Sequence, residues 1–220
     1  MKHLSRDLEH LHRRLLALGD IVSTAIKDAT SALIDRDEVS ARRVIEQEER
    51  VDEMEVEIEE ECLKILALHQ PVAGQLRLVV TALKVNNDLE RMGDAAESIA
   101  VRAQRLAESP ALPVPADLSM MVQTARGMTR NALDALVQQD VALARQVLDD
   151  DETVDRGQRG MFRILQERMR ERRDEINECV LMLSATRQVE RIADLATNIA
   201  EDVIFLHEGE IVRHKADHSN

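Results

Sequence analysis

A recurring pair of acidic residues is the feature of this sequence best suited to chemistry. The pattern is an Asp or Glu, three intervening residues and then an Asp, and it occurs four times. Residues four apart lie on one face of a helix, so each match would present two carboxylates side by side. The pairs are Glu48 with Asp52, Glu90 with Asp94, Asp151 with Asp155, and Glu190 with Asp194.

The position of these pairs gives them more weight than their number. The chain contains 42 acidic residues, and chance placement in so acidic a chain gives roughly three or four matches. An acidic helix face is often only a solvated surface. However, Glu48 and Asp52 correspond to Asp151 and Asp155 in an internal repeat, and the other two pairs correspond to each other in the same way.

Carboxylates gathered in this way predict a cation site. Like charges four residues apart on a helix cost about 0.2–0.5 kcal/mol for each pair, and a bound cation would offset that repulsion. Ligation by oxygen alone favours hard cations such as magnesium, manganese, calcium or ferric iron. No His or Cys falls within the pattern, which argues against a structural zinc site of the usual kind. The identity of the ion stays open among iron, manganese, magnesium and zinc, and a solvated acidic surface is the alternative.

Further polar residues continue the acidic rows at helical spacing. In the first half Glu55 follows Asp52 and Glu97 follows Asp94, whereas the corresponding rows of the second half contain fewer acids. The first half is therefore expected to carry more negative charge and more metal. The secondary candidates for metal ligands are Glu55, Glu97, Asn198 and Glu201.

Helical periodicity through nearly the whole chain determines where the acids lie. Apolar residues recur at three- and four-residue steps, for example from Leu118 to Leu136. Aromatic residues make up only 1% of the chain, so the core must consist of Leu, Ile, Val, Met and Ala, which suits packed helices. Breaks in the pattern predict an all-α protein of six long helices. Asp37, Asp140 and Asp174 are expected to cap the helices that follow them.

The six predicted helices fall into two matching halves. Residues 29–52 match residues 132–155 at an offset of 103, and residues 83–106 match residues 183–206 at an offset of 100. A loop between the second and third helix of each half can absorb the difference. The repeat predicts two tandem, pseudo-symmetric three-helix bundles. They comprise residues 1–108 and 116–208, joined by a Pro-rich linker at 109–115 and followed by a tail at 209–220.

Charge and composition exclude several functions. The net charge is −13 and the chain has no Trp or Tyr, which disfavours nucleic-acid binding. The sequence has no apolar run long enough to span a membrane. Its two scattered cysteines form no CxxC motif, which suits a reducing compartment. We therefore expect a cytoplasmic protein. It has no Gly-rich phosphate loop, so direct phosphate binding by protein groups has no support in the sequence.

The acid pairs and the residues around them closely resemble the PhoU phosphate-regulatory family. The resemblance rests on the segments Leu89–Asp94 and Val189–Asp194 and on the C-terminal segment Glu208–His214. It implies two three-helix bundles, commonly a homodimer, with multinuclear metal clusters held by the acid pairs. It also implies negative regulation of phosphate uptake and of the phosphate-starvation response. The implied partners are the ATPase of the phosphate ABC transporter and a sensor histidine kinase, between which the chain would be a metal-binding adaptor.

The sequence leaves two other functions open, although it does not predict an enzyme. A carboxylate-bridged metalloenzyme would show turnover that depends on Asp52, Asp94, Asp155 and Asp194, at a buried metal site. A plain helical scaffold would contain no metal.

Overall fold

The computed structural model describes residues 2–209, which form six α-helices and one short 3₁₀ turn. No strand occurs in this range, which confirms the all-α prediction. None of these helices combines the length and apolar character that crossing a lipid bilayer demands. The elements are α1 (Lys2–Asp35), α2 (Glu38–His69), α3 (Gly74–Glu108), α4 (Ala116–Gln138), α5 (Val141–Glu171), the 3₁₀ turn (Arg173–Glu175) and α6 (Ile176–Glu208). The tail predicted at 209–220 lies outside the described residues beyond Gly209.

Two of the three predicted helix caps are confirmed. The carboxylate of Asp37 accepts hydrogen bonds from the second and third backbone N–H groups of α2, at 3.0 and 3.2 Å. Asp140 caps α5 in the same way, at 2.9 and 3.0 Å. The prediction for Asp174 is wrong, because its carboxylate accepts instead from Arg172 Nε and Nη2 at 3.3 and 3.1 Å. The helix α6 follows Glu175 without a side-chain cap.

Helices α3 and α6 form the centre of the molecule. Each packs against the other two helices of its own half, and the two pack against each other just as extensively. Leu89 and Ile99 of α3 and Val189 and Ile199 of α6 are fully buried in one continuous core of aliphatic residues. The two predicted bundles therefore share a core, and α1 of the first half also contacts α4 of the second.

Polar contacts between α3 and α6 show how the halves are related. Lys84 Nζ lies 2.9 Å from the buried carboxylate of Asp202, and Arg102 Nε donates to Ser184 Oγ at 2.6 Å. Positions 84 and 184 are equivalent in the repeat, as are positions 102 and 202. In one contact α3 supplies the first of these positions and α6 the second, and in the other contact the two helices exchange these roles. The helices α3 and α6 therefore run antiparallel and are related by a pseudo-two-fold axis.

The linker between the halves is attached to the body of the protein. The guanidinium of Arg36 donates to the carbonyl oxygen of Ala107 at 3.1 Å and to that of Ser109. Leu112 in the middle of the linker is buried. The contacts of Arg36 attach the end of α3 and the first residue of the linker to the turn between α1 and α2 of the first half.

Candidate metal centres

The four acid pairs lie along two helix–helix contacts, one in each half. Helices α2 and α3 carry the pairs of the first half, and α5 and α6 carry those of the second. We call these groups the first acid cluster (Glu48, Asp52, Glu90 and Asp94) and the second acid cluster (Asp151, Asp155, Glu190 and Asp194). The structure thus brings the sequence-predicted ligands of each half to one helix pair.

A glycine allows α2 and α3 to approach closely beside the first acid cluster. A Cβ atom added at Gly93 would lie 3.0 Å from Val51 Cγ1, closer than ordinary van der Waals contact. Val51 directly precedes Asp52, and Gly93 directly precedes Asp94. The short distance between the helix backbones therefore favours the meeting of carboxylates from the two helices.

Four carboxylates of the first half act on one another electrostatically. The pKa of Glu48 is raised from 4.5 to about 7, first by burial, next by the charge of Asp52 and a hydrogen bond with it, and then by Glu97 and Asp94. Carboxylates raise the pKa of a neighbour when their negative charges meet without a nearby cation. Glu48 therefore faces acids on its own helix and on α3.

The neighbouring acids of the first half are perturbed in the same direction. Burial raises the pKa of Glu55, and the charges of Glu59 and Asp52 add to the effect. Burial also raises the pKa of Glu90, followed by the charges of Asp94 and Asp52. The excess negative charge thus extends over about two helical turns on each side of the α2–α3 contact.

The second acid cluster shows the same pattern on α5 and α6. The pKa of Asp151 is raised from 3.8 to about 6 by burial, then by Asp194, Asp155 and Glu152. The pKa of Asp194 is also raised from 3.8 to about 6, by burial, then by Glu190 and Asp155. The repeat therefore reproduces the electrostatic environment as well as the residue types.

Amide and basic groups moderate the second acid cluster. Burial raises the pKa of Glu190, but a hydrogen bond with Gln158 opposes the rise. Arg159 Nη1 lies 3.6 Å from a carboxylate oxygen of Asp155. Gln158 stands where the first half has Glu55, so the second cluster has one negative charge fewer at this position.

One arginine of the second half acts electrostatically on the first acid cluster. Arg191 directly follows Glu190 in the second half. Burial and the charges of neighbouring acids raise the pKa of Glu90 in the first half, and the charge of Arg191 opposes that rise slightly. Its repeat equivalent, Arg91, instead lies 3.4 Å from Asp88 on its own helix. The two equivalent arginines therefore have different surroundings, because Arg91 pairs along its own helix.

The clusters are acidic surfaces rather than preformed ligand cages. Among residues 2–209, no three Asp, Glu, His or Cys side chains converge closely enough to hold one metal ion. Asp52 and Asp194 are exposed, and the other members are partly buried. Asn198 and Glu201 are also partly buried, one and two turns after Asp194 on α6. Binding a cation would require these side chains to rotate towards it.

Comparison with known proteins gives the family. The family model described as the PhoU domain matches the chain twice, over residues 15–103 and 118–203. The chain belongs to the PhoU family. It is 39% identical over 214 residues to a Pseudomonas putida protein named a phosphate-specific transport system accessory protein PhoU homolog, spanning 97% of this chain and 84% of that one. A protein of the same name from Aquifex aeolicus is 38% identical over 212 residues, 96% of each chain.

A solved PhoU structure shares the fold. The crystal structure of PhoU from Pseudomonas aeruginosa superposes with a TM-score of 0.91 at 39% identity, covering 94% of this chain and 99% of that one. Each PhoU domain match contains one acid cluster whole. The internal repeat predicted from the sequence is therefore a repeat of PhoU domains.

Three contributors to the site were missed at the sequence level. They are the close approach at Gly93, the hydrogen bond between Gln158 and Glu190, and the electrostatic effect of Arg191 on Glu90. The close approach at Gly93 could have been predicted, because the equivalent position of the second half also has a small residue, Ala193. The effect of Arg191 could not, since it depends on the contact between α3 and α6.

Proposed function

We propose that this chain is an accessory regulator of phosphate transport that restrains phosphate uptake and the phosphate-starvation response. The observation that carries the proposal is the pair of PhoU domains, which together span most of the chain. It is supported by relatives named phosphate-specific transport system accessory proteins, which match at 37–39% identity over nearly the whole chain.

In this proposal the two acid clusters bind metal ions. Glu48, Asp52, Glu90 and Asp94 would hold metal in the first half, and their four repeat equivalents would do so in the second. The donor set fits a hard cation, since it consists of carboxylate oxygens. Burial, and after it the repulsion of neighbouring carboxylates, raises the pKa of Glu48, Asp151 and Asp194. A bound ion would neutralise that repulsion and cross-link α2 to α3 and α5 to α6.

The proposed partners are the ATPase of the phosphate ABC transporter and a sensor histidine kinase. In this proposal the chain forms a homodimer that binds them in the cytoplasm. A net charge of −13 suits basic surfaces on partner proteins. Val56 and Leu63, seven residues apart on one face of α2, are 53% and 54% exposed. These two side chains leave part of the apolar surface of α2 open to a partner, about one and three turns after Asp52 of the first acid cluster.

A bacterial reporter strain that lacks its own PhoU protein tests the regulatory role. Expression of this chain should restore repression of phosphatase in phosphate-rich medium and should limit phosphate uptake. Complementation with an empty vector provides the control. If phosphatase expression and phosphate uptake stay at the level of the deletion strain, the regulatory proposal is wrong.

Elemental analysis of the purified protein tests the metal sites separately. We expect metal in the wild-type chain and its loss in the double variant Asp94→Ala, Asp194→Ala. The matched control is Asp134→Ala, Asp149→Ala, which removes two exposed carboxylates outside the clusters. Unchanged metal content in the first double variant would show that the assigned residues are not the ligands. A wild-type protein without metal would support the plain scaffold.

The exposure of the clusters does not favour the alternative of a carboxylate-bridged metalloenzyme. Such an enzyme keeps its reacting metal away from bulk water, whereas Asp52 and Asp194 are exposed. Substrate turnover that disappears in the variants of these two residues would support the enzyme instead.

A further inference from the structure

A basic cavity lies between α1 of the first half and α4 of the second, away from both acid clusters. Its volume is about 380 Å³, within the range of small-molecule sites. We call it the α1–α4 basic cavity. Its polar lining residues are Ser23, Thr24, Lys27, Arg126, Thr129 and Arg130.

The cavity lies on a pseudo-two-fold axis between the halves. At the repeat offset of 103, Lys27 corresponds to Arg130 and Ser23 corresponds to Arg126. Both members of each pair line the cavity. A cation on α1 and its equivalent on α4 are therefore brought to the same cavity from opposite sides.

The packing of α1 against α4 explains this convergence. A Cβ atom added at Gly19 would lie 2.9 Å from Leu133 Cδ2, whereas Arg126 reaches Thr30 further along α1. Position increases along α1 as it decreases along α4, so the two helices cross antiparallel. Residues at equivalent positions of the repeat, one on α1 and one on α4, consequently line the same cavity between the two helices.

Arg126 is held rigidly at the cavity. Its Nε donates to Thr30 Oγ1 at 2.8 Å, and its Nη2 donates to the carbonyl oxygen of Lys27 at 2.7 Å and to Ser31 Oγ at 2.9 Å. Within residues 2–209 its Nη1 has no hydrogen-bond partner. The guanidinium is thus preorganised by the first half of the chain, with one nitrogen left to meet a ligand.

Among residues 2–209, none of the three cations that line the cavity forms an ion pair. Burial lowers the pKa of Arg126, and Asp28 and Asp35 oppose that shift from outside the cavity lining. Asp28 already lies 3.9 Å from Arg43. In the part of the chain that the structure describes, neither Lys27 nor Arg130 forms an ion pair. Three cations therefore converge on a cavity without a lining carboxylate, in a chain that has 42 acidic and 29 basic residues.

We propose that the α1–α4 basic cavity binds a phosphoryl anion, either free orthophosphate or the phosphate group of a larger molecule. Guanidinium groups bind phosphate oxygens through paired, charge-assisted hydrogen bonds, and an ammonium adds a mobile point charge. The ligand would neutralise the repulsion between Lys27 and Arg130 and connect α1 to α4. The proposal is independent of metal in the acid clusters.

The test is titration calorimetry on the full chain after removal of metal with EDTA and dialysis. Orthophosphate, pyrophosphate and adenosine monophosphate are the probes, in chloride buffer at constant ionic strength. We expect at least one probe to bind the wild type. The double variant Lys27→Gln, Arg130→Gln should weaken binding about tenfold or more, because two charge-assisted contacts are lost. The matched control is Arg163→Gln, Arg170→Gln, which removes two exposed cations from α5 and should change affinity less than about twofold.

The three probes separate the two sources of the phosphoryl group. Tightest binding of orthophosphate indicates the free ion, and tightest binding of the larger probes indicates a phosphorylated molecule. The proposal is overturned if no probe binds at millimolar concentration, or if the Lys27 and Arg130 variant binds as tightly as the wild type. Binding that requires added metal and disappears in Asp94→Ala, Asp194→Ala also overturns it, since the anion would then lie on the acid clusters. None of these results changes the outcome of the reporter-strain experiment.

Discussion

Replacing Glu48 by Gln should stabilise the metal-free protein above neutral pH. The folded chain raises the pKa of Glu48 from 4.5 to about 7, so the folded state binds this proton more tightly than the unfolded state does. Stability contributed by the protonated carboxyl is therefore lost as the pH rises from about 4.5 to about 7, and the loss is constant above that range. The substitution removes a charge that destabilises the fold.

The size of the effect follows from the same shift, reduced for solvent. At about 1.4 kcal/mol for each pKa unit, a rise from 4.5 to about 7 sets a ceiling of roughly 3 kcal/mol. Glu48 is only partly buried and its titration depends on Asp52, so screening by water reduces the expected gain to about 1 kcal/mol.

Urea unfolding of the EDTA-treated protein measures this gain. We expect Glu48→Gln to raise the free energy of unfolding at about pH 8 and to have little effect at about pH 4.5. The control is Glu49→Gln, which removes an exposed carboxylate next along α2. A loss of stability at about pH 8, or an equal gain at both pH values, would show that the charge of Glu48 does not destabilise the folded state.

Three further predictions concern the fold that positions the clusters. Lys84→Ala should lower the free energy of unfolding by about 2 kcal/mol in urea titrations, because Asp202 is only 2% exposed and loses a cationic partner at 2.9 Å. Asp140→Ala should lower it by about 1 kcal/mol, because the cap of α5 is lost. Gly160→Ala should raise the thermal midpoint, since Ala favours a helix by about 1 kcal/mol and the partly exposed Asp117 side chain can move away from the new methyl.

Matched variants separate these effects from general perturbation. Lys64→Ala breaks an exposed ion pair and should change stability by less than about 0.5 kcal/mol. Asp174→Ala should also change little, because Asp174 caps no helix. Gly157→Ala should not share the gain of Gly160→Ala, because its methyl would lie 2.2 Å from Cγ of the buried Met121. If either of the first two controls matched its test variant, or if Gly157→Ala stabilised the protein equally, the corresponding explanation would be wrong.

Features that depend on one helix or on the repeat could be predicted from the sequence. The apolar stripe of α4 indicated its buried face, and Asp37 and Asp140 each precede the helix that they cap. The grouping of the acid pairs on neighbouring helices followed from their equivalent positions. The same reasoning was wrong for Asp174, because its carboxylate accepts hydrogen bonds from Arg172, two residues earlier, instead of from backbone N–H groups.

Features that depend on packing between the halves could not be predicted. Nothing in the helical pattern of α3 distinguishes a partner in its own half from α6, so the contact between Lys84 and Asp202 had no sequence signal. The basic cavity was missed for the same reason. Lys27 and Arg130 are equivalent in the repeat, but only the antiparallel crossing of α1 and α4 shows that equivalent residues meet. Periodicity describes one helix at a time, whereas such sites depend on two.

The exchange-symmetric contacts between α3 and α6 bear on how such a chain could have arisen. The contact between α3 and α6 is as extensive as that of α3 with α1 or with α2, and it joins the same positions of both halves. In a protein with only one repeat, this isologous surface would pair two identical subunits. Duplication and fusion of its gene would then convert a dimer into one chain, after which the copies could diverge. The two halves now differ at equivalent positions, with Glu55 in the first and Gln158 in the second, and with Gly93 in the first and Ala193 in the second. Two identical subunits could not differ in this way, because one gene would encode both.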